Sequence, residues 1–321
     1  MTMTGQSFGR VVKVRVFATI LGQSAGVPTI SYNNGYTEFS SVLPDGSSGF
    51  RIKGKVTMVQ PTVQFNTNQV NLSLYNLGPN SRALIQSKVG TRIGIIAGYG
   101  SGPKQIALAD ILWARTHKEG PDYITEIIAG DAHFGLTNGT INQSFSGAVT
   151  NQQIVNALLT ALEEQQIFSG VITGIPAGNY ANNGFVLSGS PLVILSDVCR
   201  KMGLSMNVVG SMVNILPIGQ DSGAPLIELS VATGLIGIPE VAPPGIIGVQ
   251  DLSKSIEVSP SNDISFKTLL RPEISLSQKV RITSKFVNGE YIVGRAVHDF
   301  DSWEGPFYTE CQAFKVVTTS G

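Results

Sequence analysis

Charge is scarce in this chain. Only 14% of its 321 residues are charged, and 22 basic residues balance 22 acidic ones, whereas an average soluble domain carries about 25%. That balance excludes a strongly basic nucleic-acid surface and the high net charge of a disordered chain. Cysteine is nearly absent: Cys199 and Cys311 stand far apart in no metal-ligand spacing. Cys199 falls on the apolar face of a predicted helix, and both read as reduced core thiols. The three histidines, His117, His133 and His298, form no HxxxH or HxH pair, so no metal centre and no cofactor is expected. Long apolar runs are missing too. The most membrane-like stretch, Leu229 to Gln250, holds Glu240 and three prolines and reads as a buried strand and loop rather than a membrane insertion. Met1 to Gly9 has neither a charged n-region nor an apolar h-region, so no signal peptide is expected and synthesis belongs in a cytoplasm.

What is abundant is glycine, 36 residues, with 16 prolines and many Asn, Ser and Thr between short apolar runs. This is the texture of a turn-rich, mainly β protein. From Arg10 to Phe17 the valines at 12, 14 and 16 alternate with Lys13 and Arg15, the period of a half-buried strand. Residues 18–48, with Asn33-Asn34-Gly35, read as a loop or irregular hairpin. Alternation returns at 51–56, 70–75 and 92–97, a short helix is predicted over 81–88, and strands follow at 105–113 and 123–129. Near Gly130 the pattern changes. Thr150-Asn-Gln-Gln153 is a capping box opening a helix from about Asn151 to Gln166. Ser190-Pro191 caps a second helix that stops at Gly203, and a hairpin turns at Gly210-Ser211. From Leu226 the chain is β again, with a turn at Asn288-Gly289.

The fold class expected is therefore mainly β with an α+β part. Residues 1–129 would be a first barrel with an irregular N-terminal segment, 130–222 a small α+β domain and 223–321 a second barrel. An internal echo supports two related barrels. Glu119-Gly120-Pro121-Asp-Tyr123-Ile-Thr-Glu126 returns as Glu304-Gly305-Pro306-Phe-Tyr308-Thr-Glu310, one residue shorter, and strand-turn-strand patterns lie upstream of both copies.

Motifs that would carry catalysis fail on context. Ser7 and Ser24 sit in GxSxG patterns, but neither lies on a strand-to-helix elbow. Gly98 to Lys104 lacks the Gly-Lys-Ser/Thr and following helix of a phosphate loop. Glu163 and Glu164, adjacent on one helix, point apart and make a poor acid/base pair. His298-Asp299-Phe300-Asp301 reads as a solvated turn in preference to a cation loop. Lys13, Arg15, Arg51, Lys53 and Lys55 would form a basic face if their two strands paired. No aromatics are interleaved on which bases could stack, so a solvated sheet face is favoured over a single-strand nucleic-acid binder.

The order Tyr75-Asn76-Leu77, a short helix, Gly90 to Tyr99, a strand ending near Trp113, then Ile124 to Asp131 resembles the first domain of the T4-like central hub proteins of phage tail baseplates. Thr233 to Pro239, Leu269 to Pro272, Val280 to Ser284 before Asn288 to Tyr291, and His298 to Asp301 are similar to that family's second barrel. The resemblance covers residues 50–315. It implies a non-enzymatic virion protein of the tail baseplate: a homotrimer with two tail-tube-like barrels per subunit, a symmetry adapter between the hexameric tail tube and a trimeric spike, and part of the tail channel. The partners implied are the tube or tube-end protein, the spike and the tape-measure protein, with no sequence-specific nucleic acid. A tail tube or distal tail subunit, with one barrel and a sixfold ring, is the alternative. A hub-associated cell-wall-degrading enzyme is another, and would need a pocket with paired carboxylates or a Cys/His pair.

Overall fold

The computed structural model describes residues 9–17, 35–60, 68–87, 91–100, 102–241 and 263–315. The first β region holds β1 (Arg10–Phe17), β2 (Tyr36–Ser40), β3 (Ile52–Val59), β4 (Gln69–Tyr75), helix α1 (Pro79–Ser87), β5 (Arg92–Tyr99), β6 (Lys104–Glu119) and β7 (Asp122–Gly130). The middle region runs α2 (His133–Asn138), β8 (Ile141–Phe145), β9 (Val149–Thr150), α3 (Asn151–Glu163), β10 (Phe168–Ile172), β11 (Asn179–Ala181), β12 (Phe185–Gly189), α4 (Pro191–Lys201), β13 (Leu204–Val209) and β14 (Met212–Pro217). The last holds β15 (Ile227–Leu229), β16 (Leu235–Val241), β17 (Asp263–Leu269), β18 (Lys279–Thr283), β19 (Asn288–Asp301) and β20 (Phe307–Lys315).

The two β regions are continuous. Their strands form one sheet in the order β16-β17-β20-β19-β3-β4-β7-β6-β5-β1-β2, with β15 and β18 joined beside β19, and their buried side chains make one core. Each region curls. In the first, the Phe50 amide just before β3 donates to Ser40 at the end of β2. In the last, β15 pairs β18 and leads through a 3-10 turn, Val231–Thr233, straight into β16.

The middle region has its own core, built from Ile154, Leu158 and Leu162 of α3 against Leu195, Val198 and Cys199 of α4, over Met206 and Ile215. The capping box forms as expected: Thr150 Oγ1 accepts from the Gln153 amide at 3.2 Å, and Gln153 Oε1 accepts from the Thr150 amide at 2.8 Å. Because those donors are otherwise orphans of the first turn, Thr150→Ala is expected to lower stability by about 1 kcal/mol, read as a reduced urea midpoint with an unchanged slope. Ser190 stands at the start of α4, yet its hydroxyl donates to the Leu136 carbonyl (3.2 Å) rather than capping the helix. Both cysteines are free and buried, and burial pushes the Cys199 thiol up to about 12.

Four expectations are corrected. Tyr36–Ser40, expected as loop, is a strand paired with β1, while Asn33 and Asn34 lie outside the described residues. The turn expected at Asn288-Gly289 lies at residues 284–287, where the Ser284 amide donates to Val287 (3.2 Å), and Asn288 opens β19. Residues 298–301 are not a solvated turn: they end β19, with His298 fully buried and Asp301 nearly so. Leu229 to Val241 is not buried throughout, because Val231, Ile236, Ile238 and Val241 are exposed. Residues 242–250 of that stretch, and Ser7 and Ser24, lie outside the described residues.

Candidate assembly surface

The sheet contains two blocks of four antiparallel strands with the same connectivity, β3-β4-β7-β6 and β16-β17-β20-β19. Their ladders align residue by residue. Thr116 faces Thr125, and His298 faces Thr309. Within each block the register of the long strand shifts once, against β7 at Leu112 between Ile111 and Trp113, and against β20 at Gly294 between Val293 and Arg295. Ala129 lies opposite Ile111 in one block, and Ala313 opposite Val293 in the other. A bulge bends a strand and lets it change partners. β6 pairs β5 over residues 104–110 and leaves it at the bulge. β19 pairs β18 over 288–292, then takes β3 as its neighbour over 295–301.

This alignment moves the repeat. The segment shared by the two blocks is Thr125-Glu126-x-x-Ala129 and Thr309-Glu310-x-x-Ala313, on β7 and β20. Gly120 and Pro121 form a tight turn between Glu119 and Asp122, whereas Glu304, Gly305 and Pro306 belong to a longer connection after Asp301. Both glycines take positive φ, 58° and 88°, which a side chain resists. The ladder thus places Tyr123 with Phe307, and Tyr308 with Ile124. The sequence signal for the true register was the shared Thr-Glu-x-x-Ala, obscured by the better-looking turn.

The expected basic face does not assemble. β1 pairs β2 and β5, while β3 pairs β4 and β19. Lys13 and Arg15 close on Glu38 at 3.2 and 2.7 Å, Arg51 on Asp301 at 2.8 Å, and Lys55 on Asp299 at 3.9 Å. Lys53 is exposed opposite Asp301. The outward face of the two blocks is a mixed-charge surface, with Arg115 on Glu126 (3.1 Å) and Lys267 on Glu310 (2.7 Å).

Buried polar groups are tied into the framework. The Arg271 amide donates to Thr309 Oγ1 (3.1 Å), which lies 2.9 Å from His298 Nδ1, while His298 Nε2 lies 3.1 Å from the Ile274 carbonyl. That carbonyl can only accept, so Nε2 carries the proton and Nδ1 accepts from Thr309. Burial pulls the imidazole down to about 4 and keeps it neutral. Asp131, at the junction with the middle region, accepts from the Gly210 and Ser211 amides at 2.7 and 2.9 Å and from Asn68 at 3.3 Å. Burial nevertheless pushes it up to about 6. Among the described residues no three His, Cys, Asp or Glu side chains group as metal ligands, and no helix is long and apolar enough to cross a membrane. A shallow cleft of about 350 Å³ separates α1 from the end of β6, lined by Arg82, Thr116, His117, Lys118 and Tyr123.

No family model matches the sequence, and none of the curated proteins matches it. In fold the chain is similar to the tail protein from Neisseria meningitidis MC58 (TM-score 0.59, 10% identity, covering 96% of this chain and 97% of that one). It is also similar to the 43 kDa tail protein of prophage MuSo2 from Shewanella oneidensis (0.57, 9%, 84% and 93%). A third similar structure is an E. coli component of the type VI secretion system, which exhibits structural similarity to the T4 bacteriophage tail proteins gp27 and gp5 (0.57, 9%, 84% and 74%). The chain has the mainly β fold of phage tail proteins.

Proposed function

We propose that this chain is a structural subunit of a phage-tail baseplate hub, in which a homotrimer adapts a hexameric tail tube to a trimeric spike. The observation that carries the reading is the pair of four-stranded blocks with one connectivity in one sheet. A closed ring that must meet a ring of higher order needs a repeated surface in each subunit, and a threefold ring of such chains presents six. In this reading residues 1–129 and 223–321 are the two tube-like units, and 130–222 is the insert between them.

The outward face with Lys55, Arg115, Glu126, Lys267, Asp299 and Glu310 then lines the tail channel. Most of its charges are paired, which leaves little net field to hold passing DNA or tape-measure protein. The role is geometric rather than catalytic, and the place is the virion baseplate. Electron microscopy of the assembled particle tests this: three copies with pseudo-sixfold symmetry are expected at the tube end. Six equivalent copies would instead make the chain a tube or distal tail subunit, and peptidoglycan clearing by the purified protein would make it an enzyme.

A further inference from the structure

The three-stranded sheet of the middle region, in the order β10-β14-β13, has two unlike edges. β13 is covered by the β body: Gln60 donates to Ser205 Oγ, Asn68 to the Val208 carbonyl (2.6 Å) and Asn207 to Ser277 Oγ (3.2 Å). β10 has β14 as its one strand neighbour among the described residues. The Phe168 amide donates to Ser211, the Val171 amide to Asn214 Oδ1 and the Thr173 amide to Ile215, each at 2.9 Å. With the bulge between Ser169 and Ile172, strand alternation turns the peptide groups of those two residues outward.

The edge is apolar. β10 reads Phe168-Ser169-Gly170-Val171-Ile172, with no charge and no proline. Phe168 lies beside Met212 in the ladder, and because Val213 and Ile215 turn into the core under α3 and α4, that pair stands on the other face. Phe168 is 51% exposed, Met212 46% and Val171 38%. Open edges are ordinarily guarded by lysine, proline or a bulge, and β10 has the bulge alone. Gly170 builds it: a Cβ there would stand 2.3 Å from Asn214 Oδ1. The kink suits a short added segment and works against open-ended stacking.

Charge identifies the occupant. α3 ends at Glu163, with Glu164 at its C-cap, just before β10, and both are exposed. The last turn of α3 holds no basic residue, and carboxylates at the negative end of a helix dipole are unfavourable. Arg92 reaches the Gln166 carbonyl at 3.0 Å, but its charge answers Asp110 at 3.4 Å. We propose that β10 is a docking edge for a short extended segment of a partner protein, carrying alternating β-branched side chains and basic residues that meet Glu163 and Glu164. Main-chain bonds to Ser169 and Ile172 would hold it, in the manner of strand addition. Added antiparallel, the more stable arrangement, the segment ends in its basic residues. The two acids would repel a nucleic-acid backbone. A second copy adding through the same edge would bring two more carboxylates and no cation, in a twofold pairing that a threefold ring does not contain. This docking goes beyond the hub reading and does not depend on copy number.

The probe is a synthetic peptide of alternating valine and threonine ending in two lysines, with a control ending in two glutamates, titrated against the full chain. Fluorescence anisotropy at low salt is expected to show the lysine peptide binding on the order of tenfold more tightly than the control. The double variant Glu163→Lys, Glu164→Lys should reverse that order. Hydrogen exchange of the wild-type chain should slow at the Ser169 and Ile172 amides when the lysine peptide is added, a readout that needs no variant. Ser169→Pro removes an outward N–H and no bond to β14, and is expected to weaken binding on the order of tenfold, with circular dichroism matching wild type. If that variant fails to fold, the exchange measurement decides. No binding of the lysine peptide, equal binding of both peptides, or bound peptide without protection at Ser169 and Ile172 would overturn the docking edge. Each of these outcomes leaves the hub reading to its own test by particle symmetry.

Discussion

Phe300→Ala is expected to lower stability by about 3–5 kcal/mol, the largest single effect in the β body. Phe300 is fully buried on β19, where β3 crosses to join the two blocks. Its ring lies under Gly54: a Cβ built on that glycine would stand 2.7 Å from Phe300 Cζ and 2.9 Å from the Asn71 carbonyl oxygen. The glycine is there because the ring needs the space, since the backbone at this strand position makes no demand for positive φ. Truncating the ring leaves a cavity between two paired strands whose main chains cannot close over it, so relaxation recovers little. Gly54→Ala approaches the same site from the other side and is expected to cost about 1–3 kcal/mol by overpacking. The two changes share one volume, so the double variant should be more stable than the sum of the single effects implies. Urea unfolding of the three variants measures this, and strict additivity would sink the account of Gly54 as a partner of the Phe300 ring.

Much of the local structure was legible because it is set by short-range chemistry. The alternation of Val12, Val14 and Val16, the capping box at Thr150 and the Gly210-Ser211 hairpin all state their geometry within a few residues. What escaped were features decided by partners far along the chain. Lys13 and Lys55 look alike as alternating strand cations, yet one answers Glu38 of β2 and the other Asp299 of β19. His298 and Asp301 have the polarity of a turn, and the Ile274 carbonyl and Thr309 for the one, with Arg51 and the Trp303 amide for the other, make their burial tolerable, because a buried polar group is stable only when its hydrogen bonds are made. The repeat was visible in outline and misplaced in detail. Turn residues such as Gly-Pro recur wherever hairpins do, while register is fixed by the pleat and the bulge, and these leave only faint marks in sequence. That β6 beyond its bulge and β16 have a neighbour on only one side among the described residues could not be read at all, since edge and centre strands differ by neighbours rather than by composition.

Two buried groups titrate in the same pH range with opposite signs. Asp131 is raised from 3.8 to about 6 by burial, so the folded state holds a proton that the unfolded chain has released. Its stabilisation is complete below 3.8 and is lost as pH rises through about 6. His298 is lowered from 6.5 to about 4 by burial, so the unfolded chain binds the proton first. Its stabilisation is complete above 6.5 and is lost as pH falls through about 4. Each shift corresponds to about 3 kcal/mol, and in wild type the two slopes offset one another between pH 4 and 6.5. Removing either group exposes the other. Relative to wild type, Asp131→Asn should gain about 3 kcal/mol on going from pH 4 to 6.5, and His298→Gln should lose about as much. Asp263 and Asp299, which burial also raises, titrate alike in all three proteins and drop out of the differences. Asp131→Asn also loses one acceptor facing the Gly210 and Ser211 amides, a pH-independent cost of about 1–3 kcal/mol that lowers its curve without tilting it. Urea unfolding at pH 4, 5 and 6.5 separates the tilt from the offset. Parallel curves for the two variants would show that neither carboxylate nor imidazole changes its proton affinity on folding. Opposite tilts would mean that the junction with the middle region and the joint of the two blocks respond oppositely to acid while the whole fold stays level.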